Sequence, residues 1–249
     1  MSLAGDEYGR RTLDFVERVQ RAQTHDEVRD LVIRELEWYG LPFVTSWSMP
    51  RPGDKRPEDV VALNTRPADY IEHYFQNNRV QHDPVITQLW RSLAPFTWED
   101  LRTTRKLNKT ERFIIDEAKD FGANDGVVVP IVSANGSIGI FSACGLLPNL
   151  SQRARSALEI IGIYSYHALQ RTQVEDRRQQ GEQYIPLTPR EREIMRWVAT
   201  GKSDDEIAAI LTIGRETVTT HVENAKRKLN AARRTYAVVQ ALRYGEISL

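Results

Sequence analysis

Asp204–Leu229 reads DDEIAAILTIGRETVTTHVENAKRKL, two amphipathic runs on either side of Thr212-Ile213-Gly214. The first follows a Ser203-x-x-Glu206 capping box and carries Ile207, Ala208, Ile210 and Leu211. The second spaces Val218, Val222, Ala225 and Leu229 four, three and four residues apart, which aligns them in one buried helical stripe. Thr220, Glu223, Asn224 and Arg227 then lie opposite that stripe, with Thr217, His221 and Lys228 on one shoulder. A further helix is expected just upstream. Thr188 caps it, Pro189 takes its first position, Glu191 closes a capping box and Gly201 ends it, with Ile194, Trp197 and Val198 facing inward. This is the pattern of a helix-turn-helix whose last helix enters the major groove. The spacing by itself also fits a three-helix bundle with a solvated polar face.

Charge supports the first reading. The chain of 249 residues has a formal net charge of zero, yet Ile213–Arg234 holds six basic residues (Arg215, Lys226, Arg227, Lys228, Arg233, Arg234) against Glu216 and Glu223. That local excess sits where a phosphate backbone would be met. The candidate DNA-binding residues are Lys202, Thr217, Thr220, His221, Asn224, Arg227 and Lys228. Thr, Asn and Arg can read base edges, and the lysines can reach phosphates.

The rest of the chain is long enough for a second domain. Its apolar share of 41% allows a core, and the single cysteine, Cys144, forms no disulfide within the chain. No stretch approaches the ~18 apolar residues of a membrane span, and the N-terminus lacks the apolar core of a signal peptide. A cytoplasmic, soluble protein is expected. Helices are expected at Leu13–Ala22, Asp26–Tyr39, 68–78, 83–92, Asn108–Asp120 and Ser151–Arg171. Strands are expected at FVTSWSMP and VVALNT, around the Pro/Gly turn RPGDKRP. DGVVVPIVSANGSIGIFSACG reads as two strands around Asn135-Gly136, with Pro130 marking an edge or a bulge. Residues 172–186 are polar, contain Gly181 and Pro186, and read as a linker. The expected fold is therefore α+β: an α/β/α sandwich with an antiparallel sheet over residues 1–171, the linker, then a small all-α helix-turn-helix domain over 187–249.

LTPREREIMRWVATGKSDDEIAAILTIGRETVTTHVENAKRKLNAARRTYAVVQAL resembles the DNA-binding domain of the LuxR family of transcription regulators. Glu191 and Gly201 match two characteristic positions of that family, and Met195 replaces the usual leucine at a third with little change of volume. No pattern of a phosphorylated receiver domain precedes it. YIEHYFQNNRVQHDPV, PFTWED and FGANDGVVVPI instead resemble the acyl-homoserine-lactone-binding domain of the family's quorum-sensing branch. The resemblance rests on Tyr74, Asp83, Pro84, Trp98 and Gly126 at the family's spacing. Tyr70 stands where the family has tryptophan, and Arg66 where several members carry tyrosine.

The resemblance implies a regulator that binds an N-acyl-homoserine lactone, with an aryl or branched acyl tail as one option, and then an approximately palindromic operator as a homodimer. The helix at Ser151–Arg171 would help pair the protomers. RNA polymerase is the further partner it implies; no cofactor, metal, membrane or enzymatic turnover is expected. A neutral lactone needs one strong acceptor, a few donors and apolar walls. Asp83 supplies the acceptor, Tyr70 and Ser142 donors, and Tyr74, Val85, Phe96 and Trp98 the wall, Trp98 with an N–H as well. Taken alone, Asp83-Pro84 is also an ordinary helix start, and Trp38, Trp47 and Trp90 read as plain core. Two alternatives remain beside the lactone reading. One is a regulator that binds DNA without ligand or answers a different small molecule; the other is a domain that only dimerises.

Overall fold

Five strands build one sheet in this computed structural model, which describes residues 3–48, 61–77, 79–133, 138–179 and 185–247. They are β1 (Phe43–Ser48), β2 (Val61–Asn64), β3 (Phe96–Thr97), β4 (Asp125–Val132) and β5 (Ile138–Gly145), in the order β2-β1-β5-β4-β3. β1 runs antiparallel to β2 and to β5, and β3 antiparallel to β4. The turns expected at RPGDKRP and at Asn135-Gly136 lie outside the described residues. β3 is only two residues long and pairs with Val127 and Val128. At Pro130, β4 is thus an edge on that side among the described residues, the kind of place where a sheet tolerates proline.

Helices cover both faces of the sheet. α1 (Leu3–Arg21), α2 (His25–Glu37) and α7 (Gln152–Gln179) pack on one face. There Phe15, Val32, Leu36, Leu158 and Ile161 meet Val44, Val127, Val129, Phe141 and Ala143 of the strands. α3 (Ala68–Gln76), α4 (Pro84–Leu89), α5 (Trp98–Thr104) and α6 (Lys109–Glu117) lie on the other, against Val128, Ile140 and Cys144. Burial on both faces is why β4 reads as a continuous apolar run rather than an alternation. Close approach demands small residues: a Cβ at Gly162 of α7 would lie 2.9 Å from the Phe141 ring, and one at Gly126 would lie 2.6 Å from the Ala143 carbonyl oxygen.

Three expectations need correction. α1 starts at Leu3 rather than Leu13, and Leu13 itself is exposed while Thr12 and Phe15 are buried. α7 runs to Gln179, eight residues into the stretch read as linker, because TQVEDRRQ contains neither glycine nor proline and its Gln, Glu and Arg favour helix. Trp38 and Trp90 are exposed rather than core.

The chain divides into two compact units, and Arg177–Leu249 is the main segment of the second. The second is all helix: α8 (Pro189–Ala199), α9 (Asp204–Leu211), α10 (Arg215–Lys228) and α11 (Arg234–Arg243). Both expected capping boxes form, Thr188 with Glu191 and Ser203 with Glu206. Ile194, Met195, Ile207, Val218, Val222, Ala225 and Leu229 make its core. The turn between α9 and α10 differs from what the glycine suggests. Thr212 takes the left-handed conformation at φ 54°, and Gly214 is the N-cap of α10 at φ −68°. A β-branched residue is strained there, so the packing of α9 against α10 holds it.

Candidate functional sites

A cavity of about 610 Å³ lies between the sheet and the helices α3 to α6. Register explains the sheet side. Thr45 pairs with Ser142 and Trp47 with Ile140, so all four side chains point from one face into the cavity. The helical side brings Tyr70, Tyr74, Asp83, Val85 and Trp98 to the same space. Six of the seven sequence-predicted ligand residues therefore converge. Phe96 does not: it is buried in the core beside Trp98 and lines no part of the cavity. Trp47, read as plain core, is wall instead, because the β1 alternation turns it to the cavity face.

Asp83 serves both readings of its dipeptide. It is the N-cap of α4, with Pro84 at the first position, and its Oδ1 accepts from the Val85 N–H at 2.7 Å. Its Oδ2 accepts from the Tyr74 hydroxyl at 2.6 Å. A carboxylate offers about four acceptor sites, so capacity remains for a ligand N–H. Burial pushes the Asp83 carboxyl above its ordinary range, against the lowering effect of Tyr74, Val85 and Arg66. Burial likewise pushes the Tyr70 and Tyr74 phenols up, so both stay protonated donors at neutral pH. The Trp98 indole N–H is buried and has no partner among the described residues. Arg66, whose replacement of the usual tyrosine was legible but whose position was not, lines the same wall.

The second site is the outer face of α10. Val218, Val222 and Ala225 are buried, and Thr217, Thr220 and Arg227 are exposed opposite or beside them, with His221 and Asn224 half-buried. Thr220 donates to its own helix, at Glu216 O, 2.8 Å, and Arg227 donates to Asn224 Oδ1 at 2.9 Å. The two lysines are otherwise engaged. Lys228 donates to the buried Glu191 at 2.8 Å, and Lys202 to Glu206 at 2.9 Å. Burial raises Glu191, but Lys228 and the Thr188 cap outweigh it and hold its carboxyl below the ordinary range. Sequence reasoning missed a clamp. Asp204 at the start of α9 accepts from Thr219 of α10 at 2.6 Å and from Arg234 of α11, and Arg234 also donates to Lys202 O at 2.8 Å. No periodicity announces such a bond between helices.

Among the described residues no cluster of His, Cys, Asp and Glu could hold a metal, and no helix is long and apolar enough to cross a membrane. The model of the autoinducer binding domain matches residues 24–169, and that of bacterial regulatory proteins, luxR family, matches residues 185–241. Among curated proteins, the chain is 35% identical to the quorum sensing-dependent transcriptional regulator RpaR of Rhodopseudomonas palustris, over 97% of each chain. It is 31% identical to the transcriptional activator BjaR1 of Bradyrhizobium diazoefficiens, over 96% of each. Escherichia coli SdiA superposes with a TM-score of 0.75 at 25% identity, over 96% of this chain and 98% of SdiA. SdiA in complex with octanoyl-rac-glycerol superposes at 0.74 with the same identity, over 92% of each chain. Members of the family so matched are transcriptional regulators, not enzymes. The chain belongs to the LuxR family of quorum-sensing transcriptional regulators, with an autoinducer-binding domain followed by a luxR-type helix-turn-helix DNA-binding domain.

Proposed function

We propose that this regulator binds an N-acyl-homoserine lactone in the cavity of its N-terminal unit and then binds an approximately palindromic operator as a homodimer in the cytoplasm. One observation carries the ligand class. Among the described residues, a mostly apolar cavity of about 610 Å³ holds one carboxylate, Asp83, beside the Trp98 N–H, which lacks a protein partner. A ligand that fits needs one N–H, several acceptor oxygens and an apolar tail, which is the composition of an acyl-homoserine lactone. Asp83 takes the amide N–H. Tyr70, Ser142 and Trp98 offer donors to the carbonyls, and Tyr74, Val85 and Trp47 enclose the ligand. Ile160 and Tyr164, one turn apart on α7, are exposed and offer a dimer contact. α10 then reads a half-site through Thr217, Thr220, His221, Asn224 and Arg227, two half-sites lying about 34–36 Å apart. RNA polymerase is the partner through which bound dimers act.

A second reading, a different small molecule, has its own support. The SdiA complex holds an acylglycerol, a neutral amphiphile without an amide N–H. Both readings meet one test: mass spectrometry of small molecules retained by protein purified from cells supplied with acyl- and aroyl-homoserine lactones. Near-stoichiometric retention of one lactone supports the first. Retention of another amphiphile, or of none by a protein that still binds its operator, supports the second.

A further inference from the structure

Part of the helical wall of the cavity is held together by one oxygen atom that does not itself line the cavity. α6 turns Ile114 and Ile115 to the space, α3 turns Tyr70 and Tyr74, and the 3-10 helix Arg79–Gln81 turns Val80 and Gln81. Glu117, on α6, lies outside that lining. Its Oε1 accepts from His73 Nε2 of α3 at 2.9 Å and from Arg79 Nη2 of the 3-10 helix at 3.1 Å. The first bond has a defined donor. The Asn77 side-chain nitrogen can only donate and lies 3.3 Å from His73 Nδ1, so Nδ1 accepts and Nε2 carries the proton. Arg79 touches α6 a second time, its guanidinium carbon lying 5.0 Å from the Phe113 ring centroid. The Glu117 and Arg79 side chains are only 13% and 18% exposed, so this charge-assisted bond is sheltered from much of the solvent screening.

The 3-10 helix needs such a hold. None of its three residues is buried, and Gln81 is exposed although it lines the cavity. The wall is one residue thick there. α4, α5 and α6 each sink side chains into the core, Leu89, Leu101 and Ile114 among them, and cannot leave the wall without breaking it. A short 3-10 helix has poor internal hydrogen-bond geometry, and segments with few buried contacts open at the least cost. When Arg79 leaves Glu117, Val80 and Gln81 move with it, because all three share one turn.

We propose that Glu117 is a positioning residue for ligand exchange: by holding Arg79 and His73 on α6 it keeps the 3-10 helix closed over the cavity, and so sets how fast ligand enters and leaves. The inference rests on the reading of the cavity as the ligand site. It has a kinetic signature. Opening breaks the same two bonds whether the cavity is full or empty. Removing them therefore speeds association and release by the same factor and leaves affinity in place, whereas loss of a residue that touches ligand acts mainly on release.

The test uses the full-length protein and stopped-flow tryptophan fluorescence, since Trp47 and Trp98 line the cavity. The probes are N-octanoyl-homoserine lactone, N-benzoyl-homoserine lactone and octanoyl-rac-glycerol. Glu117→Gln keeps the side chain's size and removes its charge. Arg79→Met removes the other partner and keeps an apolar stem beside Phe113. Each should raise the association and release rates together by about tenfold or more, with Kd within about threefold of the wild type. The double variant should be less than about threefold faster than either single one, because both act on one bond. Wild-type rates in both variants overturn the proposal. So does faster release without faster association, which would make Glu117 a support of the bound state alone. Failure of both variants to fold also overturns it, because the bonds would then serve structure rather than exchange. A wild type that binds only the acylglycerol ends the lactone reading, and the same pair of rates on that probe then decides the role of Glu117. A wild type that binds none of the three sinks both.

Discussion

In the C-terminal unit the Glu191 carboxylate ends on Lys228 and the Thr188 cap, and Asp204 ends on Thr219 and Arg234. Around the cavity of the N-terminal unit, the Trp98 N–H and the Arg66 guanidinium end on no protein acceptor among the described residues. Gln240 Oε1 is the exception in the C-terminal unit, and in the N-terminal unit Thr12 Oγ1, Ser46 Oγ, Arg79 Nε and Ser165 Oγ are also unmet away from the cavity, so the contrast is one between the two sites and not between the whole units. At the two sites the difference follows from what each site meets. α10 presents exposed side chains to a partner that arrives from water, and nothing buried waits for it. The cavity encloses its partner, so its polar groups are desolvated before the partner comes. A buried donor left unmet costs ~1–3 kcal/mol, which is what a fitting ligand gives back.

The largest effect should come from breaking the closed unit. Lys228→Met leaves Glu191, whose side chain is 5% exposed, without its cation. The expected loss is about 3 kcal/mol in the stability of the C-terminal unit, measured by calorimetry, with ligand binding by the N-terminal unit unchanged. Glu191 has a lowered carboxyl pKa, so its contribution is present above the ordinary carboxylate range and is lost as pH falls through the lowered value. The gap between wild type and Lys228→Met should therefore close in acid. A gap that stays constant would mean Lys228 stabilises by packing its stem alone.

Asp83→Ala comes next. It should weaken lactone binding by ~1–3 kcal/mol, or about 5- to 150-fold, while operator binding by ligand-independent contacts persists. Response at wild-type ligand concentrations would refute the anchor. The raised pKa of Asp83 sets the sign with pH. The ionised, buried carboxylate weighs against the unliganded fold only once pH has risen through the raised value, and that penalty is gone below the unfolded value. Ligand affinity runs the other way: it should fall as pH drops through the raised value and the carboxylate takes a proton. Asp83→Asn should flatten this profile.

These two residues also show what was legible. The closed unit was readable almost throughout, because caps, stripe and turn are local patterns in Thr188–Leu229 and local propensity agrees with packing there. Its Asp204 clamp was not, since it joins three helices through side chains with no fixed spacing. In the sensor, four of the five strands and the Asp83 cap were legible; the two-residue β3, the helix α5 that follows it and the cavity were not. Whether Trp47 is wall or core depends on which face of β1 carries it, and Phe96, paired with Val128 on the cavity side of the sheet, is filled-in core that lines no part of the space. Tyr74 was read as wall, and its hydroxyl proves to hold Asp83.

Arg227→Ala probes the open face of α10. Arg227 is exposed, and its side chain's one hydrogen bond among the described residues is to Asn224 Oδ1 in its own helix, so the protein's stability should stay within about 0.5 kcal/mol. Operator binding should weaken by about 1–3 kcal/mol if Arg227 grips a base edge. If it grips a phosphate, the loss should be uniform across sequences and the salt dependence should drop by about one counterion. Ligand binding that falls in parallel would point to misfolding and against this assignment.

Ser142→Ala should have the smallest effect and separates the two kinds of site most directly. Ser142 lies on β5 opposite Thr45, lines the cavity and has no hydrogen-bond partner for its hydroxyl among the described residues. In a closed unit, removing a buried hydroxyl breaks a bond and lowers stability by about 1 kcal/mol. Here no bond exists to break, so the unliganded protein should melt at the wild-type temperature or slightly above it. The cost should appear only with ligand, as an affinity lower by ~0.5–1.5 kcal/mol, because the carbonyl oxygen that Ser142 would have met is then desolvated without a donor. A loss of unliganded stability with no loss of affinity would mean that the Ser142 hydroxyl already has a partner in the empty protein, a buried water being the available one. The idea that the cavity holds its donors in reserve would then fail at the position where it is cheapest to test.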